Sequence, residues 1–230
     1  MRLNYKDEMW DMGFVITIDG PAASGKSSVS RELAKSLGIP WLSTGSFYRA
    51  VAFAALQRNI PLTDREKLSE LALSEVWKVK MTPQRTEVWF DGKEVTDHIA
   101  QEDVGNAASL IGHYPEIRQS LLDHQRRCAQ GVAGLVAEGR DCGTVIFPQA
   151  EVKVYLTASS QHRATRRAQE LGLDQQALVH QQQQRDQQDS TRKVAPLQIP
   201  KDALVLDTTE MSLAEVVQKV SEFATPRLKV

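Results

Sequence analysis

An α/β architecture, a doubly wound parallel sheet carrying a small antiparallel insertion, is the fold class these 230 residues predict. Three observations lead there. An apolar, β-branched run from Phe14 to Ile18 flows through a glycine-bearing loop into a helical pattern at Val29, Leu33, Ala34 and Leu37. Strand-like apolar runs then recur at Trp41-Leu42, Gly134 to Ala137, Val152 to Leu156 and Ala203 to Asp207, separated by helical stretches. Between Trp41-Leu42 and Gly134 the apolar period shortens from helical to alternating, which marks a separate antiparallel unit.

The loop after the first strand carries the most information. Gly20 to Ser27 match G-x-x-x-x-G-K-[ST] in the required strand, loop, helix context. Such glycines let the backbone curl around an oxyanion with its N–H groups inward, and the helix N-terminus adds partial positive charge. Lys26 is then expected to reach the β- and γ-phosphates of a bound nucleotide, and the Ser27 hydroxyl to ligate Mg²⁺. A plain glycine-rich turn before a helix is the competing reading. Gly38 and Pro40 stop the helix.

Bulk properties set the limits. The length suits one domain over residues 13–230, with residues 1–12 as a polar extension in which Met9 or Met12 are alternative starts. A net charge of −1 offers no global field for nucleic acid or membrane, so neither is expected as a partner. Cys128 and Cys142 have neither disulfide nor metal spacing and read as free thiols of a reducing compartment. No signal-peptide core and no span of bilayer length is visible, so the expectation is a cytoplasmic protein. A monomer is expected because the predicted surface shows no long apolar stripe left unassigned.

The remaining elements follow in order. Ser43-Thr44-Gly45-Ser46 is expected to cap a helix through Tyr48, Arg49, Val51, Phe53 and Leu56. Position leaves Arg49 either a solvated helix arginine or a ligand group at a strand's end. Ile60 to Leu73 reads as a turn and a short helix. Val76 to Met81, Thr86 to Phe90 and Lys93 to Val95 read as strands, the last two joined by the tight turn Asp91-Gly92. Residues 63–103 are taken as the insertion. One helix is expected from Asp97 through Ile111, and another from Pro115 through Leu122. The strand Gly134 to Ala137 ends in Glu138-Gly139-Arg140-Asp141, a site signal unless it is a surface turn. A long polar helical region runs from Ser159 to about Arg192, with Gln181 to Gln184 on a solvated face. Arg185, Asp189 and Arg192 share one face, which spacing alone favours as an exposed ion-pair ladder. A strand to Asp207 and an amphipathic helix from Ser212 to Phe223 close the chain.

Taken together, Ile18-Asp19-Gly20-Pro21, Thr44 to Arg49, Gly139-Arg140-Asp141-Cys142-Gly143-Thr144-Val145 with Phe147-Pro148, and Arg185 to Arg192 followed by Val194 to Leu197 resemble the bacterial cytidylate kinases. The resemblance covers nearly the whole chain after residue 13. It implies the P-loop nucleoside monophosphate kinase fold, with residues 63–103 part of an enlarged monophosphate-binding subdomain and 159–172 a short lid. It implies phosphorylation of CMP, and also dCMP, by ATP with Mg²⁺. On this likeness Gly20, Pro21, Ala22, Ala23, Ser24, Gly25, Lys26, Ser27 and Ser28 would hold the ATP phosphates. Arg163, Arg166 and Arg167 would lie in the lid, with Arg163 and Arg167 on the ATP side. Arg49, Arg140 and Arg192 would surround the acceptor phosphate, with Thr44 and Tyr48 beside it. Ser109, Arg118 and Asp141 would read the cytosine ring, and Arg185 and Asp189 would face the ribose. Ser43 departs from the pattern, since an aspartate is common there, and Ser27-Ser28 replaces a Gly-Thr pair of some members.

The residue types suit phosphoryl transfer, which depends on positioning and charge stabilisation more than on a nucleophilic side chain. Arginine binds phosphate through a planar fork and stays charged. Converging arginines are expected to repel one another in an empty site. A kinase of another monophosphate, or a nucleotide-dependent switch protein, are the rival readings, and the arginines downstream of the loop favour a second anionic substrate over the switch.

Overall fold

A computed structural model describes residues 13–171, 179 and 186–228. Strands β1 (Phe14–Asp19), β2 (Trp41–Ser43), β6 (Gly134–Gly139), β7 (Val152–Thr157) and β8 (Leu204–Asp207) form one parallel sheet in the order β2-β6-β1-β7-β8. β1 lies at its centre, with Phe14 to Asp19 in register with Gly134 to Gly139 on one side and Ile16 to Asp19 with Val152 to Tyr155 on the other. Both faces of β1 are covered, which is why it reads as a continuous apolar run. Val15 packs with Leu42, Leu135 and Ala137 in one core cluster, whereas Ile16 and Ile18 pack with Val136, Val154 and Leu156 in the other.

Helices close these two layers. On the Ile16 side lie α1 (Lys26–Leu37) and α8 (Leu213–Ala224), contributing Val29, Leu33, Val216 and Val220. On the Val15 side lie α2 (Gly45–Gln57), α5 (Glu102–Ile111) and α6 (Pro115–Arg127), contributing Val51, Ile111, Ile117 and Leu121. Each such fully buried Leu, Ile or Val contributes roughly 1.5–3 kcal/mol. α8 begins with a capping box in which Ser212 and Glu215 bond reciprocally.

The alternating stretch forms a separate antiparallel sheet, β3 (Trp77–Met81), β4 (Thr86–Phe90) and β5 (Lys93–Glu94), after α3 (Arg65–Leu73). Asp91 and Gly92 both adopt positive φ, 46° and 76°, as the tight turn between β4 and β5 needs. Aromatic rings dock the sheet on α2, with Phe47 edge-on to Trp77 at 5.7 Å and Phe53 edge-on to Phe90 at 5.6 Å. The Thr86 hydroxyl donates to Trp41 O and accepts from Ser43 N, which ties the sheet to the edge strand β2.

Two local expectations are corrected. The single helix from Asp97 through Ile111 is two, α4 (Thr96–Ile99) and α5, broken at Ala100 and Gln101. Thr44 stands at the N-cap of α2 without a side-chain capping bond, because its hydroxyl donates to Glu138 O at 2.9 Å instead. Of the long polar helical region, α7 (Ser160–Leu171) and a helical segment over 186–191 are described, while Gln181 to Gln184 fall outside the described residues. Among the described residues no helix is long and apolar enough to cross a membrane.

Candidate active site

The loop from Gly20 to Gly25 leaves the C-terminal end of the central strand, where ligands gather in open parallel sheets. Gly20 has φ 152°, and a Cβ there would stand 2.0 Å from Leu156 O, so a side chain would force the loop off the sheet. Gly25, at φ 87°, turns the backbone into α1. Lys26 is buried at the start of α1 and its Nζ donates to Pro21 O at 2.6 Å. Burial, with the Arg140 charge second, lowers its ammonium to a pKa of about 7.

Sheet order brings the ends of β6 and β2 beside this loop. Glu138 Oε1 accepts from Ser27 Oγ at 3.2 Å and from Ser43 Oγ at 2.5 Å. Sequence reasoning placed Glu138 in a site signal without giving it a partner or a role. The turn after β6 is held by Asp19 at the end of β1, whose two carboxylate oxygens accept from Cys142 N at 2.8 Å and Gly143 N at 2.7 Å. That grip sets Arg140 and Asp141 alongside the loop. A following π-turn spans Cys142–Ile146.

Burial raises the Asp19 carboxyl to about 6, against the lowering effect of those backbone N–H groups. The folded state therefore holds a proton that the unfolded chain has already lost over this interval. The resulting stability is full below the unfolded value and is lost as pH rises through about 6. Asp19→Asn is expected to remove that component, so urea midpoints of the variant fall less than those of the wild type between about pH 4 and 6.5. Equal slopes in the two proteins would refute this.

The arginines do not stand against one another as expected; carboxylates interleave with them. Arg140 donates from Nε to Asp189 Oδ2 at 2.6 Å and from Nη1 to Gly20 O at 2.9 Å. Arg192 Nη1 lies 3.7 Å from Asp189 Oδ1, and its Nη2 is buried without a hydrogen-bond partner among the described residues. Although burial opposes it, the charges of Arg140 and Arg192 hold the Asp189 carboxyl below its usual range. Arg118 pairs directly with Asp141, both buried, and lies over the Tyr48 ring at 5.5 Å. Burial pushes the Asp141 carboxyl up and Arg118 and Arg192 oppose it. Burial raises the Tyr48 hydroxyl to about 12. Arg49 Nη1 donates to Ile99 O at 2.5 Å and Gln101 O at 3.1 Å.

These groups line one cavity of about 550 Å³. Its walls include Ala22, Ala23, Gly25, Lys26, Ser27 and Ser28 of the loop and the start of α1, and Thr44, Tyr48, Arg49, Ser109, Arg118, Arg140, Asp141, Asp189 and Arg192 from elsewhere in the chain. Gly20, Pro21 and Ser24 are buried within the loop and do not line the wall; Glu138 of the site signal does, and Arg31, Glu102 and Gly105 join the wall unanticipated. Arg163 sits beside the cavity, donating to Ala22 O at 3.0 Å and pairing with Asp186 at 2.6 Å, while Asp186 accepts from Ala22 N. Arg166 donates to Thr208 O and Oγ1. Arg167 belongs to α7, and its side chain, like Arg185, falls outside the described residues.

Such a cavity can hold two polyanions facing each other. The oxygen donors Ser27 and Glu138 suit a hard divalent cation shared with substrate phosphates, and no cluster of three or more His, Cys, Asp or Glu forms a protein-only metal cage among the described residues.

A family model described as cytidylate kinase matches residues 16–225. The chain is 63% identical to a cytidylate kinase of Bdellovibrio bacteriovorus over 217 residues, covering 94% of this chain and 100% of that one. It is 40% identical to a cytidylate kinase of a Geobacillus species, covering 93% and 97%. Among solved structures, an uncharacterized protein from Eubacterium ventriosum shares the fold with a TM-score of 0.52 at 10% identity, over 91% of this chain and 97% of that one.

Proposed function

The chain belongs to the cytidylate kinase family, and from that premise we propose how its cavity carries the phosphorylation of CMP to CDP by ATP. The observation that carries the reading is one cavity lined both by the phosphate loop and by Arg49, Arg140, Arg192, Arg118 and Asp141.

In this reading the loop N–H groups and Lys26 cradle the ATP phosphates. Arg163 grips the loop from the lid side, supported by its bond to Ala22 O. Ser27 would hold Mg²⁺ with Glu138 behind it, an assignment supported by their hydrogen bond. Mg²⁺ bound there would supply positive charge to the ATP phosphates. Arg49, Arg140 and Arg192 take the acceptor phosphate, and the buried, unpartnered Nη2 of Arg192 supports an anion there. An oxygen of the CMP phosphate attacks the γ-phosphorus in line, and ADP leaves as the γ-phosphorus bond to the bridging oxygen breaks. No side-chain base is needed, because that phosphate is already ionised near neutral pH. Asp189 is set to exchange its arginine partners for the acceptor and to face the ribose, and Arg118, Ser109 and Asp141 read the base. We also take residues 63–103 as the acceptor-side subdomain, 159–172 as the lid, dCMP as a second acceptor, and the enzyme as a cytoplasmic monomer.

A coupled ADP-release assay with ATP and Mg²⁺ against CMP, dCMP, UMP, AMP and GMP tests this. Turnover on CMP and dCMP well above UMP is expected. A different preferred monophosphate would overturn the base assignment. Loss of turnover on withholding Mg²⁺ is expected too, and light scattering should show a monomer.

A further inference from the structure

The acceptor side contains one contact that neither the motifs nor the proposed chemistry uses. Arg49 projects from α2, and its guanidinium lies against the start of α5. The carbonyls of Ile99 and Gln101, at the break between α4 and α5, accept from Nη1. One turn on, Gly105 donates its backbone N–H to the same Gln101 carbonyl; it is buried and lines the same cavity. A Cβ at Gly105 would stand 2.8 Å from Arg49 Nη2 and 3.2 Å from both Cζ and Nη1. All three of its nearest neighbours belong to that one guanidinium, and none belongs to backbone.

We propose that Gly105 is a positioning residue for phosphoryl transfer: its missing side chain is the space in which the Arg49 guanidinium lies flat against α5 and is aimed at the acceptor phosphate. This rests on the proposed role of Arg49 at that phosphate.

A methyl group at 105 leaves two ways to relieve the overlap. α5 could move off α2, but it is locked there by Val104, Ala107, Ala108 and Ile111, all buried in the shared core. The guanidinium sits at the end of a flexible side chain and yields first. That shift draws Nη1 away from the Ile99 and Gln101 carbonyls that hold it, so the fork leaves its place in the cavity wall. Fork recognition of phosphate is bidentate and geometric, so a displaced fork loses the acceptor more than it loses the fold.

The position is inside a helix, where Ala is a better helix former than Gly. Gly105→Ala is therefore expected to separate stability from activity. Tm stays level or rises, whereas kcat/KM for CMP falls on the order of 10-fold. The KM for ATP stays within about 2-fold, because Arg49 is assigned to the acceptor phosphate and the loop to ATP. A double-mutant cycle with Arg49→Ala supplies the decisive readout. With Arg49 truncated the overlap is gone, so adding Gly105→Ala to Arg49→Ala changes kcat/KM by less than about 2-fold.

Each alternative result has a distinct meaning. If Arg49→Ala leaves CMP kinetics intact, the role of Arg49 falls and this inference with it. If Arg49→Ala is impaired while Gly105→Ala matches the wild type, the inference alone is overturned. It is also overturned if Gly105→Ala lowers Tm, or costs the same with and without Arg49, since ordinary packing would do either. Should Gly105→Ala fail to fold, recovery of folding in the double variant supports the clash with Arg49, and failure of both overturns it.

Discussion

Lys26→Met is expected to lower kcat for CMP phosphorylation by on the order of 10²–10³-fold, the scale for removing one charge-stabilising donor from a preorganised site. The fold should survive the change. In the empty protein Lys26 is a buried ammonium whose desolvation outweighs its neighbours' help, which is why its pKa stands at about 7. A group lowered in this way contributes stability above its unfolded pKa, and that contribution is lost as pH falls through about 7. Met at 26 removes the dependence, at the cost of leaving Pro21 O without its 2.6 Å donor, roughly 1–3 kcal/mol if water cannot replace it. The same pKa gives a second readout. ATP phosphates favour the charged lysine, so ATP binding near pH 8 should take up close to one proton, seen by calorimetry in buffers of different ionisation enthalpy. Lys26→Met should abolish that uptake. Equal uptake in variant and wild type would refute the assignment of the proton to Lys26.

The parts of this site that could be read in advance were local. The first strand, loop and helix lie within the span from Phe14 to Leu37, so motif and periodicity sufficed. The antiparallel unit showed itself through alternation and the Asp91-Gly92 turn. What stayed hidden was made by distance in the chain. Arg140 meets Asp189 49 residues away, and Ser27 meets Glu138 111 residues away. Neither pair has a period to detect. Mutual repulsion among the arginines was therefore expected, although the fold had already placed carboxylates between them. Glu138 is the clearest case: it joins Ser27 and Ser43 because β6 lies between β2 and β1 in the sheet. Thr44 erred in the opposite direction. Its type and position suggested a cap, but the Glu138 carbonyl across the sheet competed for its hydroxyl and won. The break at Ala100 and Gln101 did leave a trace in the sequence: Ile99 and Val104 are five residues apart, about 140° around a helix, so the apolar stripe changes face there.

Asp141→Ala is expected to collapse the preference for CMP over UMP by roughly 5- to 150-fold, with CMP losing most of the activity. Arg118 is donor-only and always charged, so its contact keeps Asp141 an acceptor even though burial pushes the carboxyl up. Cytosine presents an exocyclic amine that a carboxylate accepts from. Uracil presents a carbonyl oxygen at the same place, acceptor against acceptor, and an unmade buried bond of that kind costs about 1–3 kcal/mol. Removing the carboxylate also strips Arg118 of its buried counter-ion, at a stability cost of about 3–5 kcal/mol. That second effect acts on the protein whichever nucleotide is present, so it lowers both rates and leaves their ratio alone. The ratio of kcat/KM for CMP to that for UMP, measured within one variant, isolates the reading of the base. Asp141→Asn sharpens the test. Its carbonyl can still accept from Arg118, while its amide offers a donor to the uracil oxygen. UMP should therefore gain relative to CMP in Asp141→Asn beyond the ratio seen in Asp141→Ala. Proportional losses on both nucleotides in both variants would reduce Asp141 to a structural partner of Arg118 and move base recognition elsewhere in the cavity.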